Sequence, residues 1–359
     1  MSDIVSRWAD AGGIRLHYLR SSSSSSSIST GGGLPLLLLH GWPEWSHAWR
    51  PVMTRLAGRF DMVAPDFRGF GRSQKSSPEP AEDATPAILA ADIVALADRL
   101  GLARFGIVSH DMGSMVAQAI ARQHPGRVAG LYFFNCVYAG IGARFALPSH
   151  LSEIWYQQFH QKPWAAALVG SSRKACRIYL QAFLKHWSHR KDAFDNELEA
   201  WVDNFMRRGN LQGGFNWYRS VDAARMAMIE GRAPPAPPIR ARTRVLWGAH
   251  DPVLKAAWTD RLHEHFSDLQ LDLAPDAGHF VHVECPDLAA QDIARFFRDG
   301  DGCEAAIGRE TGLLHLRRPR RAERHDEGVH CAGGRKQRPG ALQQPGTADP
   351  AARTRRHAR

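Results

Sequence analysis

The stretch FGIVSHDMGSMVAQ, residues 105–118, decides how the rest of the chain is interpreted. A short apolar run ends in the turn SHDMG (109–113), and a pattern with helical spacing begins immediately after it. The pattern predicts a buried strand, a tight turn that needs glycine, and a helix. Asp111 at that turn has two interpretations: a helix N-cap, for which aspartate is a preferred residue, or a nucleophile held at the tip of a strand.

The composition is that of a globular protein with a sizeable apolar core. Of the 359 residues, 44% are hydrophobic and 23% are charged. The five cysteines are scattered and form no CxxC pair, which argues against a disulfide framework or a cysteine zinc site and favours a reducing compartment. The N-terminus has no apolar signal-peptide region, and no apolar run approaches the roughly 20 residues of a membrane span. We therefore expect a cytoplasmic protein without a membrane partner.

The net charge of +10 is concentrated near the C-terminus. Residues 301–359 contain 13 Lys/Arg and 7 Asp/Glu, without hydrophobic periodicity or aromatic residues. Such a segment buries too little apolar surface to order itself, and we expect a disordered tail. A basic tail attracts polyanions without specificity, so the charge predicts no specific nucleic-acid partner.

Strand-like and helical segments alternate along the first part of the chain. A low-complexity segment, 21–33, predicts a long loop between a strand at GIRLHYLR and one at LPLLLLH. Predicted strands lie at 34–40, 60–66, 104–110 and 128–136, and predicted helices lie at 84–101 and 112–126. This alternation predicts an α/β fold, with a mostly parallel central sheet and helices on both faces.

The alternation stops at residue 138. Residues 138–230 are rich in Trp, His and helix formers and contain no clear strand, whereas strands at 243–251 and 269–279 and a last helix resume the sheet. The predicted organisation is a first core part (1–137), a helical cap (138–230), a second core part (231–300) and the tail (301–359). Such an insertion is where a lid over a substrate lies. An ordinary second subdomain is the alternative.

Ionisable side chains follow three of the predicted strands. Asp111 ends one strand, Asp251 follows VLWGAH, and His279 lies in DAGHF. In parallel α/β sheets ligands bind beyond the carboxyl ends of the strands, so we expect these three side chains to meet there. Their order along the chain, a nucleophile, an acid and a histidine, is that of the α/β-hydrolases. Taken singly, Asp251 is equally a turn residue and His279 a loop histidine.

The spacing of small residues around the turn selects Asp111 as the nucleophile. A turn that presents a nucleophile needs small residues two positions before and two positions after it, because the backbone there is strained and crowded. Ser109 and Gly113 meet this requirement around Asp111, whereas neither Ser109 nor Ser114 has small residues at both positions. The spacing therefore favours an aspartate nucleophile over a serine esterase.

A carboxylate nucleophile predicts a two-step reaction. An ionised Asp111 attacks an sp³ carbon without a base and forms an alkyl ester, and the dipole of the following helix favours its charge by about 0.3–2 kcal/mol. Hydrolysis of that ester needs a base. His279 oriented by Asp251 is the expected pair.

Five motifs resemble the epoxide hydrolase branch of the α/β-hydrolase family and occur in the order of that family. They are HGWPEWSHAWR (40–50), DFRGFGRS (66–73), SHDMGS (109–114), VLWGAHDPVL (245–254) and DAGHFVHVECP (276–286). The similarity extends over roughly residues 8–299. It implies an α/β-hydrolase fold with a cap, no cofactor, and an oxyanion hole formed by the backbone N–H groups of Trp42 and Met112.

The resemblance also implies two lid tyrosines. Tyr156 lies seven residues before the proline of YQQFHQKP, and Tyr218 lies in NWYRS, as the acid tyrosines of epoxide hydrolases do. A tyrosine, with an ordinary pKa near 10, can donate a proton to an incipient alkoxide. Fluoroacetate-type dehalogenases carry His-Trp where this chain has Tyr156-Gln157, so the tyrosine pair favours epoxides. Trp42 and Trp155 are expected to line the substrate pocket.

The leading hypothesis is an epoxide hydrolase that acts on a small-molecule epoxide and water, without a cofactor or a metal. Asp111 attacks an oxirane carbon while the two tyrosines stabilise and protonate the ring oxygen. Water activated by His279, paired with Asp251, then releases a vicinal diol. The first alternative is a haloalkane or haloacid dehalogenase with the same triad, and the second is a ligand-binding scaffold without catalysis.

Overall fold

An eight-stranded sheet forms the centre of the protein. Its strands are β1 (Val5–Ala11), β2 (Ile14–Ser21), β3 (Leu36–Leu39), β4 (Met62–Pro65), β5 (Phe105–Asp111), β6 (Val128–Cys136), β7 (Thr243–Gly248) and β8 (Leu269–Ala274). They lie in the order β1-β2-β4-β3-β5-β6-β7-β8, with β1 and β2 antiparallel to their neighbours and β3 to β8 parallel. The mostly parallel sheet predicted from the sequence is confirmed.

The computed structural model describes residues 4–21, 33–75 and 84–298. The predicted loop 21–33, apart from its two ends, and the predicted tail 301–359 lie outside these ranges. Within them, no helix combines the length and the apolar character that crossing a membrane requires.

The central strands are buried on both faces, as their continuous apolar runs predict. All four residues of β3 and six of the seven residues of β5 are buried. Leu39 of β3 pairs with Ser109 of β5, so the two strands end side by side. The loop after β3 and the turn after β5 therefore meet at the carboxyl edge of the sheet, where ligands bind in folds of this kind.

Helices cover both faces of the sheet and fill the segment between β6 and β7. They are α1 (Arg50–Arg55), α2 (Pro86–Arg99), α3 (Met112–Gln123), α4 (Leu151–Phe159), α5 (Ala165–Val169), α6 (Arg173–Trp187), α7 (Leu198–Phe205), α8 (Asn210–Ile229), α9 (Leu262–His265), α10 (Val281–Glu284) and α11 (Pro286–Arg298). Apolar residues of α1 and α11 pack in one core cluster, and those of α2 and α3 pack in another. The second cluster also includes residues of α4 to α8, so these helices share a core with the sheet.

The structure differs from the predicted strands in two respects. β1 has one fully buried residue, Ala11, and without an apolar run its sequence predicts no strand. The strands predicted at 243–251 and 269–279 end earlier, at Gly248 and Ala274. Pro275 directly follows β8 and has no N–H with which to continue a ladder. After Gly248 the chain turns, and the Asp251 N–H donates to the Gly248 carbonyl oxygen at 3.4 Å.

Candidate active site

Asp111 ends β5 with a strained backbone. Its φ of 45° and ψ of −119° lie outside the regions that non-glycine residues usually adopt, at a cost on the order of 1–3 kcal/mol. Strain of this kind persists only where the surrounding structure holds it, and it clusters at active sites. The Asp111 side chain makes no capping hydrogen bond to α3. The N-cap interpretation of this side chain is therefore wrong, and the carboxylate is available for chemistry.

Two close approaches explain the small residues at this turn. A Cβ on Gly113 would lie 2.5 Å from the carbonyl oxygen of Leu39, so α3 begins directly against the end of β3. A Cβ on Gly41 would lie 2.8 Å from the Cβ of Asp111. A larger residue at either position would push the turn and the neighbouring loop apart. The close approach at Gly113 is the crowding expected after Asp111 from the sequence, and the one at Gly41 adds to it from the neighbouring loop.

The loop after β3 brings a backbone donor to the carboxylate. The Trp42 N–H donates to Asp111 Oδ2 at 3.1 Å. A preorganised backbone donor at this distance stabilises negative charge on the oxygen it faces. The Trp42 N–H thus faces the carboxylate, and the oxyanion-hole roles of Trp42 and of Met112, the first residue of α3, stay predictions.

His279 and Asp251 form a buried hydrogen-bonded pair. His279 Nδ1 lies 2.7 Å from Asp251 Oδ2, and the second oxygen of Asp251 accepts from the N–H groups of Val253 and Leu254 at 2.8 and 3.0 Å. His279 Nε2 is buried and has no hydrogen-bond partner among the residues that the structure describes. Asp251 therefore fixes the orientation of the imidazole ring through Nδ1, and the role of His279 as a base stays a prediction.

Nearby carboxylates favour the charged form of His279. Burial lowers the pKa of His279, but the charge and hydrogen bond of Asp251, together with the charges of Asp111 and Glu44, outweigh burial and raise the pKa to about 9. The charge of Asp111 therefore contributes to the pKa of His279.

An apolar cavity of about 370 Å³ begins at Asp111 and extends under the helices that follow β6. Tyr156 of α4 and Tyr218 of α8 line it together with Asp111. Burial and the negative charge of Asp111 raise the pKa of both tyrosines. Both hydroxyls therefore keep their protons at neutral pH and act as hydrogen-bond donors.

Comparison with known proteins identifies the family to which this chain belongs. The sequence profile of the alpha/beta hydrolase fold matches residues 35–286. The chain belongs to this family. A soluble epoxide hydrolase from Corynebacterium sp. (strain C12) is 28% identical over 308 residues, which cover 82% of this chain and 98% of that protein.

Haloalkane dehalogenase 2 from Mycobacterium bovis is also 28% identical, over 81% of this α/β-hydrolase and 94% of that protein. The solved structure of epoxide hydrolase CorEH without ligand shares the fold, with a TM-score of 0.68 at 24% identity over 83% of this chain and 99% of that one. The comparisons confirm the resemblance to epoxide hydrolases that the motifs indicate. A haloalkane dehalogenase is also among the relatives of this chain.

Asn135, a buried residue that was not predicted from the sequence, holds Asp251 of this α/β-hydrolase in place. Asn135, near the end of β6, has a φ of 46° and is fully buried. Its Nδ2 donates to Asp251 Oδ2, and its Oδ1 accepts from the Gly248 N–H at 3.1 Å. Asp251 is thus fixed by a side chain in addition to two backbone donors. A polar residue inside the apolar run VAGLYFFNC is the signal that points to it.

A second buried network, also missed, joins the loops of the site. Glu44 accepts from His110 Nδ1 at 2.8 Å, from His282 Nε2 at 2.9 Å and from the Gly41 N–H at 2.8 Å. His110 Nε2 donates to the carbonyl oxygen of His279 at 2.9 Å. Burial raises the pKa of Glu44, but the two histidines outweigh it and hold that pKa well below its usual value. Glu44 therefore ties the oxyanion loop to the residue before the nucleophile and to the loop of the base.

Glu44, His110 and His282 are also the described residues whose grouping most resembles a metal site, since their ligand atoms lie within 4.8 Å of one another. These same atoms hydrogen-bond one another, and all three side chains are fully buried. Burial lowers the pKa of His282, and we therefore assign the group a structural role as a buried hydrogen-bonded network.

Glu44→Gln is expected to lower the free energy of unfolding by about 3 kcal/mol, because the amide has one acceptor oxygen where the carboxylate has two and leaves buried donors without a partner. Equilibrium urea unfolding measures the loss. Glu153→Gln is the matched control, since Glu153 pairs with His186 at 2.6 Å near the surface, where such pairs contribute about 0–1 kcal/mol. Equal losses in the two variants would contradict the structural role of Glu44.

The structure corrects the two tryptophans predicted to line the pocket. In the described part of the chain, the residues around the cavity include neither Trp155 nor Trp42. Trp155 is 50% exposed and packs against Phe159 and Phe183. Tyr156 and Gln157 face the cavity, and at about 100° per helical residue Trp155 lies about 200° from Gln157 and faces away. The Trp42 ring lies behind the tyrosines, stacked on Tyr156 with centroids 5.4 Å apart.

Proposed function

We propose that the protein is an epoxide hydrolase with Asp111 as its nucleophile. One observation carries the proposal: the carboxylate of Asp111 and the side chains of Tyr156 and Tyr218 line the same apolar cavity. An epoxide needs a nucleophile at carbon and an acid at oxygen simultaneously, because ring opening develops an alkoxide. A halide leaves as an anion that requires no proton, so two phenolic donors favour an epoxide.

In the first step, an oxygen of Asp111 bonds to an oxirane carbon and the carbon–oxygen bond of the ring breaks. The hydroxyls of Tyr156 and Tyr218 hydrogen-bond the ring oxygen, which gains a proton from this pair. The product is an alkyl ester of Asp111 that carries a neighbouring hydroxyl. Since both tyrosines come from helices between β6 and β7, we propose that this segment is the lid of the site.

In the second step, His279 takes a proton from water and the resulting hydroxide attacks the ester carbonyl carbon. The Trp42 N–H, which faces Asp111 Oδ2, stabilises the negative charge that develops on that oxygen. The tetrahedral intermediate then releases the vicinal diol as His279 returns its proton to the leaving oxygen. Asp251 keeps the imidazole in the required orientation and stabilises its charged form.

A panel of substrates tests the proposal. We expect the wild-type protein to convert an aryl epoxide such as styrene oxide to its vicinal diol and to release no halide from a haloalkane or a haloacetate. Halide release without diol formation would instead assign the site to the dehalogenase chemistry of its relative from Mycobacterium bovis. Binding of the epoxide without turnover would reject the enzymatic proposal altogether.

Tyr156→Phe and Tyr218→Phe are expected to slow ester formation. General acid catalysis typically contributes about 10²–10⁴-fold, so we expect a loss of roughly tenfold or more for each variant and the full effect for the double variant. Single-turnover kinetics with styrene oxide separates ester formation from ester hydrolysis, which should change little. Tyr179→Phe is the control, because its hydroxyl bonds His160 at 2.6 Å and Tyr179 is absent from the described cavity lining.

Hydrolysis of the ester is expected to accelerate as the pH rises. A protonated imidazole accepts no proton, and the charge of Asp111 contributes to raising the pKa of His279 to about 9. Alkylation neutralises Asp111, so the pKa of His279 falls below that value in the ester. The single-turnover hydrolysis rate should therefore increase with pH and level off below about pH 9. A rate that decreases with rising pH would contradict His279 as the base.

A further inference from the structure

We propose that Gln157 and Arg225 direct the proton of Tyr156 to the epoxide oxygen, so that Tyr156 is the acid and Tyr218 contributes a hydrogen bond without proton transfer. The inference rests on the proposed epoxide hydrolase function and assigns different roles to its two tyrosines. Gln157 and Arg225 do not react. They are positioning residues that act through the hydroxyl of Tyr156.

The three side chains form a chain of hydrogen bonds along the wall of the cavity, which all of them line. Arg225 Nη1 donates to Gln157 Oε1 at 2.9 Å, and Gln157 Nε2 lies 3.3 Å from the Tyr156 hydroxyl oxygen, to which it donates. Arg225 is itself held by Asp222 on the same helix. Gln157 is 5% exposed, so its amide has little access to competing water.

The guanidinium group fixes which way the amide of Gln157 points. An arginine only donates hydrogen bonds, so the carbonyl oxygen of Gln157 must face Arg225 and the NH₂ group must face Tyr156. A free glutamine is equally able to present its oxygen to a hydroxyl and to accept the phenolic proton. Arg225 removes that alternative, and its charge polarises the amide into a stronger donor.

A donor at the phenolic oxygen has two consequences for Tyr156. The lone pair that faces Gln157 is occupied, so the O–H bond of Tyr156 points elsewhere, toward the cavity that holds the epoxide. The same N–H stabilises the phenolate that remains after proton transfer. Burial raises the pKa of Tyr156, and the hydrogen bonds from Gln157 and Tyr218 oppose that rise.

The hydrogen bond between the two tyrosines affects the pKa of Tyr218 in the opposite direction. Burial raises its pKa, and its hydrogen bond with Tyr156 raises it further instead of lowering it. The two rings are close, with centroids 5.4 Å apart and nearly perpendicular planes, so both hydroxyls reach the same region of the cavity. The two tyrosines differ because Gln157, held by Arg225, contacts the hydroxyl of Tyr156.

The protons of the complete cycle balance. Tyr156 gives its proton to the ring oxygen as the Asp111–carbon bond forms and the ring bond breaks. Water then supplies two protons. One passes through His279 to the oxygen of the diol that was bonded to Asp111. The other, released as Asp111 returns to a carboxylate, restores the Tyr156 hydroxyl.

Gln157→Glu tests the inference with little change of shape. The carboxylate still accepts a hydrogen bond from Arg225 but presents acceptors, and no N–H, to Tyr156. We expect single-turnover ester formation with styrene oxide to slow at least tenfold and ester hydrolysis to stay within twofold of wild type. Gln158→Glu is the matched control: it makes the same charge change at an exposed position of the same helix, and its ester formation should stay within twofold.

A double-mutant cycle distinguishes positioning from a general disturbance of the lid. Gln157→Glu should cause no further loss of the ester-formation rate in the Tyr156→Phe background and its full loss in the Tyr218→Phe background. Equal losses in both backgrounds, or normal ester formation in Gln157→Glu, would overturn the inference. Failure of the proposed function itself is a separate result, because wild-type protein would then form neither the ester nor the diol.

Discussion

Asp111→Asn is expected to abolish formation of the covalent ester and to lower kcat by roughly 10⁴-fold or more, as removal of a nucleophile does in other hydrolases. The amide has no carboxylate oxygen with which to displace an epoxide carbon. Asparagine has nearly the same shape as aspartate, so it makes no new demand on the strained backbone at this position, where φ is 45° and ψ is −119°. The fold should therefore survive the substitution, and the loss should lie in the chemical step.

Two measurements make this result specific. Thermal unfolding should place the variant close to wild type, and single-turnover mass spectrometry should find no ester on the variant protein. Asp203→Asn, which removes an exposed carboxylate on α7 that pairs with Arg173, is the control for the loss of one charge and should still form the ester. An Asp111→Asn preparation with more than a few per cent of wild-type activity would contradict the assignment of Asp111.

His279→Gln is expected to separate the two steps of the reaction. Asp111 needs no base for its attack, so the variant should form the ester at a rate near that of wild type and then stall. Loss of a general base typically costs about 10²–10⁴-fold, and we expect steady-state turnover to fall by that factor after one equivalent of epoxide has reacted. Progress curves with styrene oxide show this as a burst followed by a nearly flat phase.

The surface histidine His186 provides the control for His279. It lies on α6, and 58% of its side chain is exposed, so His186→Gln should leave both phases unchanged. If His279→Gln slowed ester formation as much as ester hydrolysis, His279 would act in both steps and the division of labour proposed here would be wrong.

The sequence allows the nucleophile turn to be predicted because its constraints are local. Ser109, Asp111 and Gly113 lie within five residues, and the structure shows why glycine is required at 113, since a Cβ there would meet the backbone of β3. The pair of Asp251 and His279 is likewise found because both follow predicted strands whose ends share one edge of the sheet.

The networks behind the site depend on contacts that no local pattern reveals. Glu44, His110 and His282 are far apart in the sequence, and parallel packing of the sheet brings them to 2.8 and 2.9 Å. The sequence alone does not show that these three residues contact one another. Asn135 gives a weaker signal, a polar side chain in an apolar strand, but its contact with Asp251 follows only from the order of the strands.

The error at Trp155 has a different origin. The motif identifies Tyr156, but a residue next to it on a helix faces a direction about 100° away. The Trp- and His-rich composition of 138–230 does not show whether Trp155 or Gln157, the two neighbours of Tyr156, points inward. The structure turns Tyr156 and Gln157 into the cavity and leaves Trp155 half exposed.

The mass of intact His279→Gln protein after mixing with styrene oxide tests the central claim most directly. We predict an increase equal to the mass of one epoxide molecule, and peptide mapping should locate it at Asp111. The doubly substituted protein, Asp111→Asn with His279→Gln, should show no increase. An adduct at another residue, or no adduct in a variant whose wild-type parent forms the diol, would contradict a covalent Asp111 intermediate.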